Sequence, residues 1–182
     1  MSSLRGRLLV ASPAMSDPSF HRTVVLLIEH GEEGALGVVL NRATEMAVGE
    51  PLPAWEARAA EPAVIFVGGP VQRSSAICLG RSISTVRTSG WAPVFADIGT
   101  VDLNEHPDQL SDVSPVRVFA GHAGWGALQL EDEMDEGAWV VCDALHGDVF
   151  DPEPGRLWTR VVERQTGVVS LLARFPPDPD LN

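Results

Sequence analysis

The stretch of the chain best suited to chemistry is Gly121-His122-Ala123-Gly124-Trp125-Gly126. It follows an apolar run and precedes a segment with helical spacing, so it reads as a strand-to-helix junction. Free amides at such a junction can receive an anion, and His122 is placed to act as a base. No nucleophile accompanies it: the serines are scattered, no Gly-x-Ser-x-Gly elbow occurs, and neither Cys78 nor Cys142 sits in a motif. Asn41-Arg42 ends another apolar run. An amide and a guanidinium there suit either of two tasks, holding a carboxylate or phosphate, or tying a loop down.

Gly68-Gly69-Pro70-Val71 also follows a strand-like run. Paired glycines let amides approach an anion, but the phosphate loop of nucleotide-binding proteins ends in Gly-Lys-Ser/Thr, and this chain has no lysine. A tight turn is the stronger reading. Asp17 is expected to cap its own turn, His21 to lie at a strand edge, and His30 to face inward against a carbonyl. The five histidines form no close pair and no His-Glu-x-x-His, so no metal site is predicted, and no cofactor motif is present. Five carboxylates among residues 131–136 read as a solvated acidic face, with an arginine-bearing partner or opposing segment as the second reading.

These residues must be positioned by an alternation of apolar runs and turn formers. Residues 6–11 predict a first strand, followed by a loop over 12–19. Residues 23–28 and 35–40 are apolar runs of the kind buried on both faces of a sheet, and Gly31-Glu32-Glu33-Gly34 between them predicts a hairpin. Residues 51–60 predict a short proline-initiated helix over a sheet face. Further strands are expected at 63–67, 75–80, 91–95, 98–103, 115–120 and 138–142, with a turn or helix at 105–110. Ala127, Leu130 and Met134 share one face of a helix over 127–136, which Gly137 ends, and Trp158 opens a last helix. The proline-broken tail, from about residue 176, is expected to fray.

Strands outnumber helices, and several are too apolar for a sheet with one wet face. The expected fold is therefore α+β, a single domain over residues 1–182. Its strongly apolar mixed sheet would be curled or barrel-like, with helices packed outside. The 182 residues, 45% of them apolar, suffice for one sizeable core.

The formal net charge is −12 and unevenly spread. Residues 1–60 hold five arginines against seven acids, 61–120 four against six, and 121–182 four against twelve, giving −2, −2 and −8. Nucleic acid has the same sign as such a surface, so its binding is disfavoured. No apolar run approaches the ~18 residues of a membrane span. No secretory leader is evident, and two isolated cysteines read as buried thiols, so the expected compartment is the cytoplasm. Five tryptophans suit core or interface equally, which leaves the oligomeric state open.

Several segments taken together resemble the bacterial YqgE/AlgH family, also termed UPF0301. They are residues 6–11, Asp17-Pro18-Ser19-Phe20, 24–30, Gly34 to Arg42, Gly68-Gly69-Pro70-Val71 and Gly121 to Glu131, continuing through Gly137-Ala138-Trp139 and, more weakly, residues 148–150 and Trp158. The resemblance implies a small single-domain protein of mixed sheet and helix, and supplies no catalytic residues. The family pattern has proline after Asn-Arg, where this chain has Ala43, and Gly-Pro-Gly-Gln, where it has Gly126-Ala127-Leu128-Gln129.

The functional expectation is a noncatalytic binding or regulatory protein for a protein partner or a small anionic ligand. The candidate recognition surface is Asn41, Arg42, Gly68, Gly69, Pro70, His122, Gly124, Trp125 and Gln129. One alternative is an enzyme in which Arg42 holds a small anionic substrate, amides near Gly124 stabilise charge and His122 moves a proton. The other is the transcriptional-regulator label attached to some family members, against which the charge argues. The deciding question is whether the loops after Leu40, Val67 and Ala120 converge.

Overall fold

A computed structural model describes residues 2–84 and 88–176. The strands, in chain order, are β1 (Leu8–Ala11), β2 (Val24–Gly31), β3 (Gly34–Val39), β4 (Ala43–Ala47), β5 (Val64–Val67), β6 (Val71–Ser82), β7 (Trp91–Phe95), β8 (Ile98–Val101), β9 (Val113–Trp125) and β10 (Trp139–Cys142). The helices are α1 (Gln129–Asp135), α2 (His146–Val149) and α3 (Leu157–Glu163). Tighter 3-10 turns lie at Pro53–Arg58, Pro107–Leu110, Pro154–Arg156 and Gly167–Arg174.

The strands form one sheet in the order β10-β1-β2-β3-β9-β6-β8-β7, with β4 and β5 on a branch. The β5–β9 pair is parallel and the other named pairs are antiparallel, so the sheet is mixed, as expected. It does not close into a barrel, because the path ends at β10 on one side and β7 on the other. The branch arises at β9. One edge of that strand carries β6; the other carries β5 at Phe119 and Ala120, then β3 from Ala123 to Trp125.

Burial on both faces explains the continuous apolar runs. Leu8, Val10, Val24 and Leu26 point into an inner core with Phe66, Phe119 and Trp158. Leu9, Ala11, Val25 and Leu27 point the other way, into a second core with Trp125, Leu130 of α1 and Trp139. A third, around Val48, Trp55, Val116 and Val118, lies outside the other arm of the sheet. Strand β9 serves all three. Simple alternation would keep Phe119, Ala123 and Trp125 on one face, yet Phe119 faces the inner core and the other two an outer one. The change of face occurs at Gly121, whose φ of 74° is open to glycine and strained for other residues.

This corrects the reading of residues 121–126. Gly121–Trp125 is a continuation of β9, and the helix begins only at Gln129, so no strand-to-helix junction presents free amides beside His122. Strand β4, helix α2 and the turn at Gly167–Arg174 were not foreseen. The expectation of fraying from about residue 176 falls mostly on residues 177–182, outside the described residues.

Helix α3 covers the inner core with Leu157, Trp158, Val161 and Val162. What joins that region to the sheet is a charge. Arg117 on β9 is 1% exposed and lies 4.3 Å over the ring of Phe66. Its Nη1 donates to the carbonyls of Val149 (2.9 Å) and Asp151 (3.0 Å), and its Nη2 to that of Glu61 (2.7 Å). Burial pushes its pKa down to about 10, with Asp151 and Glu61 opposing the shift, so it remains charged at neutral pH. Replacing Arg117 with Met would leave three carbonyls without their donor. The expected loss is about 3 kcal/mol, read as a fall of roughly 6–12 °C in the thermal midpoint by calorimetry.

Candidate functional site

The loops after Leu40, Val67 and Ala120 do adjoin, through their backbones. Gly68 donates its N–H to the Ala120 carbonyl and accepts from the Val39 N–H, both at 2.8 Å, so it sits in the crotch of the branch. The Val67 N–H reaches the Arg42 carbonyl at 2.8 Å. The glycines here permit close approach: a Cβ on Gly68 would lie 2.3 Å from the Gly121 oxygen, and one on Gly69 2.2 Å from the His122 carbonyl. Pro70 beside them is exposed.

Asn41 is committed to structure. Its Oδ1 accepts from the Val24 N–H (3.0 Å), and its Nδ2 donates to the Arg22 carbonyl (2.8 Å). Arg42 is half-buried and differs: its Nη2 donates to the His21 carbonyl (3.1 Å), and among the described residues it forms no ion pair. Burial lowers its pKa from the ordinary arginine value; Asp17 raises it, and Arg73 lowers it further. Asp17 caps its turn as expected, accepting from the Ser19 N–H at 2.8 Å. His122 stands opposite Val71 with its ring beside Gly124, and among the described residues no hydrogen bond or ion pair joins it to Arg42.

Trp125 and Gln129 belong to a separate cluster on the outer face. Glu133 Oε2 accepts from the indole N–H groups of Trp125 (2.9 Å) and Trp139 (2.8 Å), while its Oε1 accepts from Gln129 Nε2 (2.9 Å). Beside them, the His30 side chain is 2% exposed. Its Nδ1 accepts from the Leu4 N–H (3.0 Å) and its Nε2 donates to Glu131 (2.9 Å), which replaces the carbonyl partner expected for it. Glu131 and Glu133 thus turn toward the protein, a correction to the wholly solvated acidic face. An open cavity of about 430 Å³ runs along residues 29–36 of the hairpin and Trp125. The surface expected as one is therefore two: a corner at the branch holding Arg42, and a packed aromatic–carboxylate cluster under α1.

Four side chains able to do covalent or proton chemistry, the two thiols, His21 and His30, are engaged in structure. Both cysteines are buried free thiols, and burial pushes both pKa values up. His21 donates from Nδ1 to the Met15 carbonyl (2.9 Å). Among the described residues, no group of three or more His, Cys, Asp or Glu is placed to hold a metal ion, and no helix is long and apolar enough to cross a membrane. Two arginines were passed over in the sequence. Arg117 had a visible signal, a charge inside the apolar run Val116-Arg117-Val118-Phe119, whereas Arg73, exposed on β6, had none.

Fold and corner together define an α+β domain built on a branched sheet, with an arginine held at the branch by a carbonyl. The chain belongs to the AlgH-like family (DUF179), which matches residues 8–170. It is 50% identical to a UPF0301 protein of Streptomyces coelicolor over 100% of this chain and 97% of that protein. It is 45% identical to one of Thermobifida fusca over 99% and 96%. The crystal structure of a Corynebacterium diphtheriae protein superposes with a TM-score of 0.90 at 31% identity, covering 96% of this chain and 93% of that one. The solution structure of the AlgH protein from Pseudomonas aeruginosa does so at 0.68 and 29% identity, covering 96% and 95%.

One departure from the family pattern has a structural cost. Leu128, where that pattern has glycine, adopts φ 63° at an exposed position before α1. Leu128→Gly is expected to stabilise the protein by about 1 kcal/mol in denaturant unfolding. A thiol reagent at pH 8 is expected to label neither cysteine in the native protein and both in denaturant, as followed by mass.

Proposed function

We propose that the protein is a noncatalytic binding protein that recognises a small anionic ligand at the corner formed by Arg42. The observation that carries this reading is the pairing of Arg42. It is half-buried at the meeting of three chain segments and is held by a carbonyl, in a chain with 25 acidic side chains. A guanidinium oriented by a carbonyl, with no carboxylate at ion-pair distance among the described residues, is equipped to take an anion. Binding is favoured over catalysis because the thiols are buried and His21 and His30 are committed to structural hydrogen bonds. Duplex DNA is set aside on charge, since α1 carries acidic residues and the chain is −12 overall.

A protein partner is the second reading, favoured by one observation. Residues Val71–Ala76 of β6 are exposed, and pairing with β8 starts only at Cys78, so the outer edge of this part of β6 is unpaired among the described residues. An extended segment of another chain could add there.

The test is calorimetric titration with a panel of small carboxylates and phosphates at low salt, on wild type and Arg42→Ala. The expected outcome is saturable binding of at least one anion that weakens about tenfold or more in the variant, with the ligand recovered unchanged. Anion binding indifferent to Arg42, or chemical turnover of the ligand, would refute the reading.

A further inference from the structure

The residues before β1 form a strap across the β2–β3 hairpin. Leu4 packs against the outer core, and the Gly6 N–H donates to the Leu27 carbonyl (2.8 Å). Arg5 Nε donates to the Ile28 carbonyl (2.9 Å), and its Nη2 to the Pro93 carbonyl of β7, the last strand of the sheet path. The strap therefore ties β2 to the far end of the sheet. Its outer end is held by His30, whose carbonyl accepts from the Ser3 hydroxyl (3.1 Å) and whose Nδ1 accepts from the Leu4 N–H (3.0 Å).

A backbone N–H only donates, so Nδ1 must present a lone pair. The proton of the neutral ring then sits on Nε2, aimed at Glu131 (2.9 Å). Protonating the ring places a second N–H on Nδ1, face to face with the Leu4 N–H in a site where the side chain is 2% exposed. The other side of the ring gains, because an imidazolium and a carboxylate make the stronger hydrogen bond. The charged surroundings favour that proton. Glu131 on α1 touches the ring, and Glu29, Glu32 and Glu33 line the cavity beside it, against Arg5 of the strap. Strands β3 and β9 bring only uncharged residues to that cavity, Ala35, Leu36 and Trp125.

We infer that His30 is a pH-operated latch on the N-terminal strap. Neutral, it holds Leu4 down; protonated, it releases Leu4 and keeps α1 through Glu131. Opening takes up a proton, so closure is favoured as pH rises through the imidazole range of about 5–8 and is lost as pH falls. Release bares the part of the outer core that Leu4 covers. The latch does not involve Arg42 and stands apart from the anion-binding reading.

The experiment follows the full chain by NMR from about pH 8 to about pH 5, reading the His30 ring nitrogens and backbone amide exchange corrected for its intrinsic pH dependence. The expected result is a ring protonated only at Nε2 at the alkaline end. Leu4 protection then falls about tenfold or more as the ring gains its second proton, while the amides of β1 and β2 keep theirs. His30→Gln does not titrate, and its Leu4 protection is expected to be flat across the range. Glu131→Gln keeps the ring but removes the carboxylate, and its Leu4 transition is expected at lower pH. Leu4 protection that is flat in wild type, falls equally in His30→Gln, falls together with β1 and β2, or is unmoved by Glu131→Gln would overturn the latch. A ring with its proton on Nδ1 at the alkaline end would do the same.

Discussion

The sheet depends on the reversal of face that β9 makes at Gly121. A strand has two faces and two edges, and an ordinary one serves one sheet with one inner and one outer side. By switching faces midway, β9 lends Phe119 to the inner core and Ala123 and Trp125 to the outer core of the neighbouring arm. The same turn opens the space in which Gly68 inserts between β3 and β9, and so creates the branch. The bare backbone at this point, which resembles a ligand loop in the sequence, is first a packing requirement.

Two polar side chains, Arg117 and Glu133, attach helices to this sheet in complementary ways. Arg117 gathers carbonyls from the end of α2 and from Glu61 and Asp151, and Glu133 gathers indole N–H groups from β9 and β10. Among the described residues, neither pairs with an opposite charge at hydrogen-bonding distance. Each has several donors or acceptors to satisfy, so each fixes several elements at once, and hydrogen bonds to charged groups are stronger than neutral ones. Arg42 is the contrasting case, with one carbonyl partner and donors to spare.

The sequence was legible where burial is symmetric. Residues 23–28 and 35–40 read as two-faced strands because both faces pack, residues 6–11 read as a first strand, and the Gly31–Gly34 turn read as a hairpin because both flanks were plain. It was misleading where small residues hide the alternation: Gly121, Ala123 and Gly124 give β9 the look of a loop. Strand β4, Ala43-Thr44-Glu45-Met46-Ala47, escaped notice because it is an exposed edge strand with no apolar pattern to reveal it. Of the candidate surface, Arg42 was legible by type and position, but the separation of Trp125 and Gln129 from it follows from the change of face at Gly121.

The pairing of β1 with β10 has a bearing on how the chain is made. Leu8 lies across from Cys142, and Ala11 from Trp139. Strand β1 is therefore finished on one edge by β10, which is synthesised long after it, and the central β9 also comes well after β1. Until then β1 and β2 form an apolar ribbon open to solvent on two faces and along one edge, the condition in which nascent chains associate with one another or with holding chaperones. Such long-range pairing makes assembly slow and nearly all-or-none. The branched sheet is thus a structure that a growing polypeptide must wait to complete.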